Sequence, residues 1–159
     1  MSLMRLLEIW VKAPFLREAS ILISSECIWQ LHREIWEDFS RNRVSLTICP
    51  EEEGCKGIVS KLATIIRTSN PKDLTVLTME GSPHCFLLHN SVLQALFLTG
   101  SGVKSRHFVL LEGVPLEIQP DAIRFARYLH LVDRLLRKLP DTLEELRKIS
   151  QEQRKAMEG

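Results

Sequence analysis

Short β-favouring apolar runs alternate with helical stretches along this chain, and that rhythm limits its fold more than any other feature. Ser20–Ser24, Val44–Ile48, Leu74–Met79 and His107–Leu111 are rich in Ile, Val, Leu and Thr. Between them lie segments whose apolar residues recur every three or four positions: Ile28, Leu31, Ile35 and Phe39, then Ile58, Leu62, Ile65 and Ile66. A period of 3.6 marks a helix with one buried stripe, and strands that alternate with such helices build βαβ units around a parallel sheet. The expectation is therefore a three-layer α/β/α fold with a mainly parallel sheet of four to five strands and a C-terminal helical extension. Residues 1–140 read as one α/β domain and 141–159 as a polar helix, opened by a capping box of Thr142 and Glu145. A helix opening at Pro120 is expected to turn Ile123, Ala126, Leu129, Val132 and Leu136 inward. Gly113-Val114-Pro115-Leu116 reads as a turn into an edge hairpin, and Arg5–Leu16 as either an edge strand or a short helix. Residues 1–3 and 158–159 read as additions made for expression.

At 159 residues and 45% hydrophobic, the chain is long enough to bury a core without staples and too apolar for disorder. A net charge of +1 gives no field for phosphate, so no nucleic-acid partner is expected. No apolar run reaches the length of a membrane span, and no secretory leader is visible. A cytoplasmic protein is expected. There is no G-x-G-x-x-G after the first strand, no P-loop and no G-x-S-x-G elbow, so nucleotide binding and serine hydrolysis lack their motifs.

The four cysteines carry what chemistry the sequence offers. Cys27, Cys49 and Cys85 each follow a predicted strand. The C-terminal ends of parallel strands share one edge, and open α/β proteins bind ligands there. Three thiols distant in sequence are thus expected to converge. Cys55 could add a fourth sulfur, and His84, beside Cys85, an imidazole. Thiolates at such an edge suit an iron–sulfur cluster or another soft metal. Ser82-Pro83-His84-Cys85 also looks like the Cys-Pro-His-Cys of thiol–disulfide oxidoreductases with its first cysteine replaced by serine. His89 straddles Cys85 with His84 and could also join a metal shell, although five residues past His84 it points elsewhere on a helix; His32 stands one turn past Cys27, whereas His107 and His130 read as structural or exposed.

The stretch Ala19–Ile118, about two-thirds of the chain, resembles the α/β region of archaeal and bacterial 4Fe-4S ferredoxin-type proteins. In that family one strand ends in Asp-Cys, another in Gly-Cys-Pro, and a third runs into Met-Glu-Val-Pro-Cys-Cys. Here the corresponding residues are Glu26-Cys27, Ile48-Cys49-Pro50 and Met79-Glu80-Gly81-Ser82-Pro83-His84-Cys85, and Asp38-Phe39 matches a pair ahead of the second strand. The C-x-x-C-x-x-C ferredoxin motifs are absent. The resemblance implies the α/β module with Cys27, Cys49 and Cys85 as cluster or metal ligands, and a redox protein as partner. Three functions compete at this point. They are a thiolate metal or iron–sulfur module serving electron transfer, a thiol-redox enzyme using Cys85, and a non-catalytic interaction domain with structural cysteines.

Overall fold

The computed structural model describes residues 3–158, so residues 1, 2 and 159, named above as additions, lie outside the described residues. The chain divides at Pro120/Asp121 into two compact units. The expected boundary after residue 140 lies inside the second of them, in the first turn of a helix that begins at Pro140.

The first unit is an α/β/α sandwich. Strands β1 (Ser20–Ser25), β2 (Val44–Ile48), β3 (Asp73–Met79), β4 (Lys104–Leu111) and β5 (Val114–Ile118) form one sheet in the order β2-β1-β3-β4-β5. The first four are parallel, and β5 returns antiparallel to β4 as the edge hairpin the sequence suggests. Strand order reverses between β1 and β3, which makes the gap beyond their C-terminal ends the natural ligand crevice of the sheet.

Strands β1, β2 and β3 are buried on both faces, so their alternate residues enter different cores. Ile21, Ile23, Leu46, Ile48, Leu74 and Val76 meet helices α3 (Ile58–Ser69) and α4 (Pro83–Thr99). Leu22, Leu77 and Leu110 face the other way, against Ile28 and Trp36 of α1 (Glu26–Leu31) and α2 (Arg33–Ser40). Each fully buried Leu or Ile stabilises the fold by roughly 1.5–3 kcal/mol before chain entropy is counted. Trp36 anchors its helix by an indole N–H that donates to Ser24 Oγ at 3.1 Å.

Several local expectations change. The helical stretch read through Ile28, Leu31, Ile35 and Phe39 is two helices, broken at His32, whose backbone leaves the helical region at φ −134° and ψ 56°. That break leaves Leu31 exposed rather than on the buried stripe. Arg5–Leu16 is neither a full strand nor an α-helix. Leu6 N–H donates to the Thr47 carbonyl and Thr47 N–H to the Met4 carbonyl, both at 2.8 Å. The segment thus extends the sheet edge beyond β2 for one parallel bridge, then turns into a 3-10 turn at Pro14–Leu16.

The second unit holds α6 (Leu129–Lys138), α7 (Pro140–Ile149) and α8 (Gln151–Glu158), after α5 (Pro120–Phe125), which spans the division. The inward stripe expected from Ile123 to Leu136 fails beyond Ile123. The helix stops after Phe125, Leu129 is exposed, and α6 buries none of its residues. The capping box at Thr142 is also absent. Pro140, which lacks the N–H a cap would satisfy, already occupies the start of α7, so Thr142 lies inside the helix.

Candidate functional site

The edge formed by the C-terminal ends of β1, β2 and β3 gathers most of the residues singled out in the sequence. Cys27 is the second residue of α1, Cys49 follows β2 directly, and Cys85 sits in the first turn of α4. Together with Ser25, Glu26, Pro50, Glu51, Ser82 and His84 they line one cavity of about 40 Å³. That volume holds a few waters or a small ion and is far below a nucleotide site. Cys85 is buried, whereas Cys27 and Cys49 are partly open.

Local chemistry explains why these groups stand where they do. Ser82 Oγ accepts the Cys85 N–H at 3.3 Å, so it is the N-cap of α4, and Pro83 occupies the first helical position. The serine that replaces the first cysteine of the oxidoreductase-like motif therefore has a structural task. His84 reaches Glu51, Nδ1 to Oε2 at 3.8 Å. Glu26, buried beside Cys27, is held by Arg5, whose Nε donates to Oε1 at 2.7 Å. The same guanidinium meets Glu52 at 2.9 Å and lies within ion-pair range of Glu8 and Glu53, so four carboxylates raise its pKa or surround it.

The Cys27 thiol is pushed up from its ordinary value. Burial is the largest cause, and repulsion from Cys85 and then Cys49 follows. The backbone amide of Cys27 works the other way, and Glu26 adds a further push upward. The Cys27 thiol thus senses both Cys85 and Cys49. Cys55 is different: it does not line the cavity, and its thiol donates to the Pro50 carbonyl at 3.2 Å. Burial first, and Cys49 second, push its thiol up.

Ser25 Oγ is buried at the cavity wall and has no hydrogen-bond partner among the described residues. A buried hydroxyl left unpaired costs free energy, which a ligand in the cavity would return. Ser25, Glu26, Glu51 and Ser82 were not among the site residues read from sequence, although each adjoins a strand end or one of the cysteines. Their position next to Cys27, Cys49 or Cys85 was the available signal.

The cavity brings together three thiols and an imidazole, with an orphaned hydroxyl beside them. Among the described residues no three Cys, His, Asp or Glu side chains are drawn together as ligands of a single ion. A multi-iron cluster asks for wider spacing, with ligand sulfurs roughly 6–7 Å apart.

One turn beyond Cys85 on α4, His89 also faces the interior. Its Nε2 pairs with Thr78 Oγ1 at 2.8 Å and its Nδ1 with His107 Nδ1 at 2.9 Å, while His107 Nε2 meets Ser105 Oγ at 3.1 Å. Both rings are buried. If each ring is neutral, every proton in this row points the same way, from Thr78 to Ser105 or the reverse. Burial, and secondarily His107, push the His89 pKa down to about 3. His89 and His107 thus tie α4 to the sheet, and His89, which the sequence also offered to a metal shell, does not line the cavity.

Fold and edge together define a doubly wound α/β protein with a thiol-lined crevice at its switch point. The chain belongs to a family described as a Rossmann-like domain, which matches residues 13–158. It is also similar to an uncharacterized protein of Archaeoglobus fulgidus, 31% identical over 99 residues that make up 62% of this chain and 69% of that protein. No solved structure matches the chain. The Rossmann-like architecture is present here without the glycine fingerprint that would bind a dinucleotide.

Proposed function

We propose that the cavity at the β1, β2 and β3 ends holds a thiolate-bound soft metal centre, with Cys27, Cys49 and Cys85 as its ligands. An iron–sulfur cluster is the form that the ferredoxin-type resemblance implies. His84 is the fourth donor nearest the cavity, and Cys55 stands outside the set. The convergence of three sequence-distant cysteines on one small cavity carries this reading.

The electrostatics favour a cation over a nucleophile. A catalytic thiol needs its pKa lowered by a helix dipole or a nearby positive charge. Cys27 is instead pushed up, first by burial and then by its thiol neighbours, and Cys85 is buried. Thiolates that repel one another are stabilised together when a metal cation sits among them, and binding then releases their protons. When bound, a cluster would supply one-electron transfer, for which a redox protein is the fitting partner. The chain's own residues would orient it: Arg5 fixes Glu26 beside Cys27, Ser82 caps the turn that presents Cys85, and Ser25 offers an unpaired hydroxyl.

The test is anaerobic reconstitution with iron and sulfide, followed by metal and sulfide analysis and visible absorption. Wild-type protein should retain iron with charge-transfer absorption. Cys27→Ser, Cys49→Ser and Cys85→Ser should each lose most of it, and Cys55→Ser should keep it. Protein that retains no iron, zinc or copper, or triple-variant protein that retains as much as wild type, overturns the reading.

A further inference from the structure

We propose that a second cavity, on the α2 side of the sheet, binds a small aromatic carboxylate, with the Arg43 guanidinium as its anion contact. The cavity has a volume of about 200 Å³ and is lined by Asp38, Phe39, Arg43, Arg106 and Phe108. All five belong to the first unit, so the site is built without residues of the second. Asp38 and Phe39 come from the last turn of α2, and Arg43 directly precedes β2. Arg106 and Phe108 stand two apart on β4, which puts them on one face of the sheet. No lining residue is shared with the thiol cavity.

The walls select the body of the ligand. Phe39 and Phe108 meet edge to face, with ring centroids 4.9 Å apart and planes at 78°. Arg106 lies over the Phe108 ring at 4.9 Å, and its Nε and Nη2 donate to the two carboxylate oxygens of Glu117 on β5, at 2.9 and 2.8 Å. Arg106 is therefore a flat wall, held by ring and carboxylate, with its charge already answered. Two rings and a planar guanidinium favour a flat, unsaturated ligand over a branched aliphatic one. The volume lies below the roughly 300–1,000 Å³ of larger organic ligand sites, and so suits a single ring with its carboxylate.

Charge selects its head. Asp38 lies within ion-pair range of Arg41, at 3.5 Å, and Arg106 is matched by Glu117. Arg43 donates from Nη1 to the Phe39 carbonyl at 2.8 Å, and among the described residues no carboxylate lies within ion-pair range of it. Its Nε is buried with no hydrogen-bond partner among those residues. A buried N–H left unpaired costs free energy, which a ligand oxygen in the cavity would return. A carboxylate suits a guanidinium in geometry as well as charge. One negative charge balances Arg43, whereas a second would stand against Asp38 on the same wall. The site therefore favours a monocarboxylate over a phosphate.

The test is isothermal titration calorimetry of the full chain with benzoate, benzamide, cyclohexanecarboxylate and inorganic phosphate. One benzoate per chain should bind with a Kd on the order of 1 mM or tighter. Benzamide and phosphate should bind at least about tenfold more weakly, and cyclohexanecarboxylate several-fold more weakly. Arg43→Gln should lose roughly tenfold in benzoate affinity. Asp38→Asn, at an exposed side chain, should gain several-fold, because it removes a like charge from the wall. Arg43→Gln also gives up the bond to the Phe39 carbonyl, so the wild-type protein supplies a measurement that needs no variant. In its NMR spectra, bound benzoate should show nuclear Overhauser effects to the Phe39 and Phe108 rings. No saturable benzoate binding, Overhauser effects to other residues alone, or benzamide bound as tightly as benzoate overturns the proposal. Phosphate bound as tightly as benzoate overturns it in favour of an inorganic-anion site, and cyclohexanecarboxylate bound as tightly overturns the choice of an aromatic ligand.

Discussion

The Cys27 thiol is kept protonated by burial, by Cys85 and Cys49, and by Glu26, and this makes its reactivity a gauge of the site. Removing Cys85 deletes the larger of the two thiol repulsions. In metal-free Cys85→Ser protein, Cys27 should therefore titrate lower and alkylate several-fold faster at a fixed pH near 8, because rate follows the thiolate fraction. An unchanged or slower rate would show that the two thiols do not sense each other. On the sheet, Thr75 is buried on the central strand β3 with no partner for its hydroxyl among the described residues. Thr75→Val keeps the shape and removes the unpaired group. It should leave stability unchanged or raise it by up to about 1 kcal/mol in urea unfolding, and a loss of similar size would reveal a hidden partner.

At the level of elements, the row of groups from Thr78 through His89 and His107 to Ser105 fastens α4 to β3 and β4. His89 titrates near 3 when folded, below the roughly 6.5 of an unfolded histidine. Its folded pKa is depressed, so between those values the unfolded chain binds more protons, and stability falls as pH falls through that window. Thr78 and Ser105 meet the two rings through neutral hydroxyls, which offer no charge to stabilise an imidazolium. From pH 7.5 to 5 the loss attributable to His89 is about 2 kcal/mol, with the thermal midpoint lower by roughly 5 °C. The His89 ring resonances should stay those of neutral imidazole down to pH 5, and His89→Gln should flatten the pH dependence. A ring that protonates near 6.5 would refute the account. This pairing was not legible in the sequence, because residues 18 positions apart meet only once α4 lies on the sheet. The strands β1, β2 and β3 were legible because each is a compact run of β-branched and aliphatic residues with both faces buried. The start of β4 was not, since Lys104, Ser105 and Arg106 read as loop until a neighbouring strand pairs with them. The break at His32 carries no proline or glycine to announce it. The cysteine edge was legible through topology alone: thiols placed after parallel strands must share an edge. The part Arg5 plays there was not, because it comes from the segment beside β2.

For the whole molecule, the division at Pro120 is the property most open to experiment. All five strands end by Ile118, and every residue of the two hydrophobic cores lies at or before Leu110. The thiol cavity ends at Cys85, and Arg5 reaches it from within the same unit. A chain of about 120 residues is also of ordinary domain size and large enough to bury a sufficient core. The second unit differs in kind. Its helices α6 and α7 bury no residue, and their side-chain ion pairs, Arg137 with Asp133 and Arg147 with Glu144, are local and exposed, so each is worth little. A chain ended at Pro120 should therefore fold alone. It should unfold in one cooperative transition, keep the strand content seen by far-UV circular dichroism, and retain the same Cys27 alkylation rate and the same metal content after reconstitution as the full chain. Peptide 121–159 alone should show reduced helicity in water, since short helices without a buried face are marginal. The combination that defeats this division is a truncated chain with a broad, non-cooperative transition and uniformly fast alkylation of all four thiols. That result would mean the sheet depends on the C-terminal helices for its stability, and that the family match through residue 158 marks one cooperative fold.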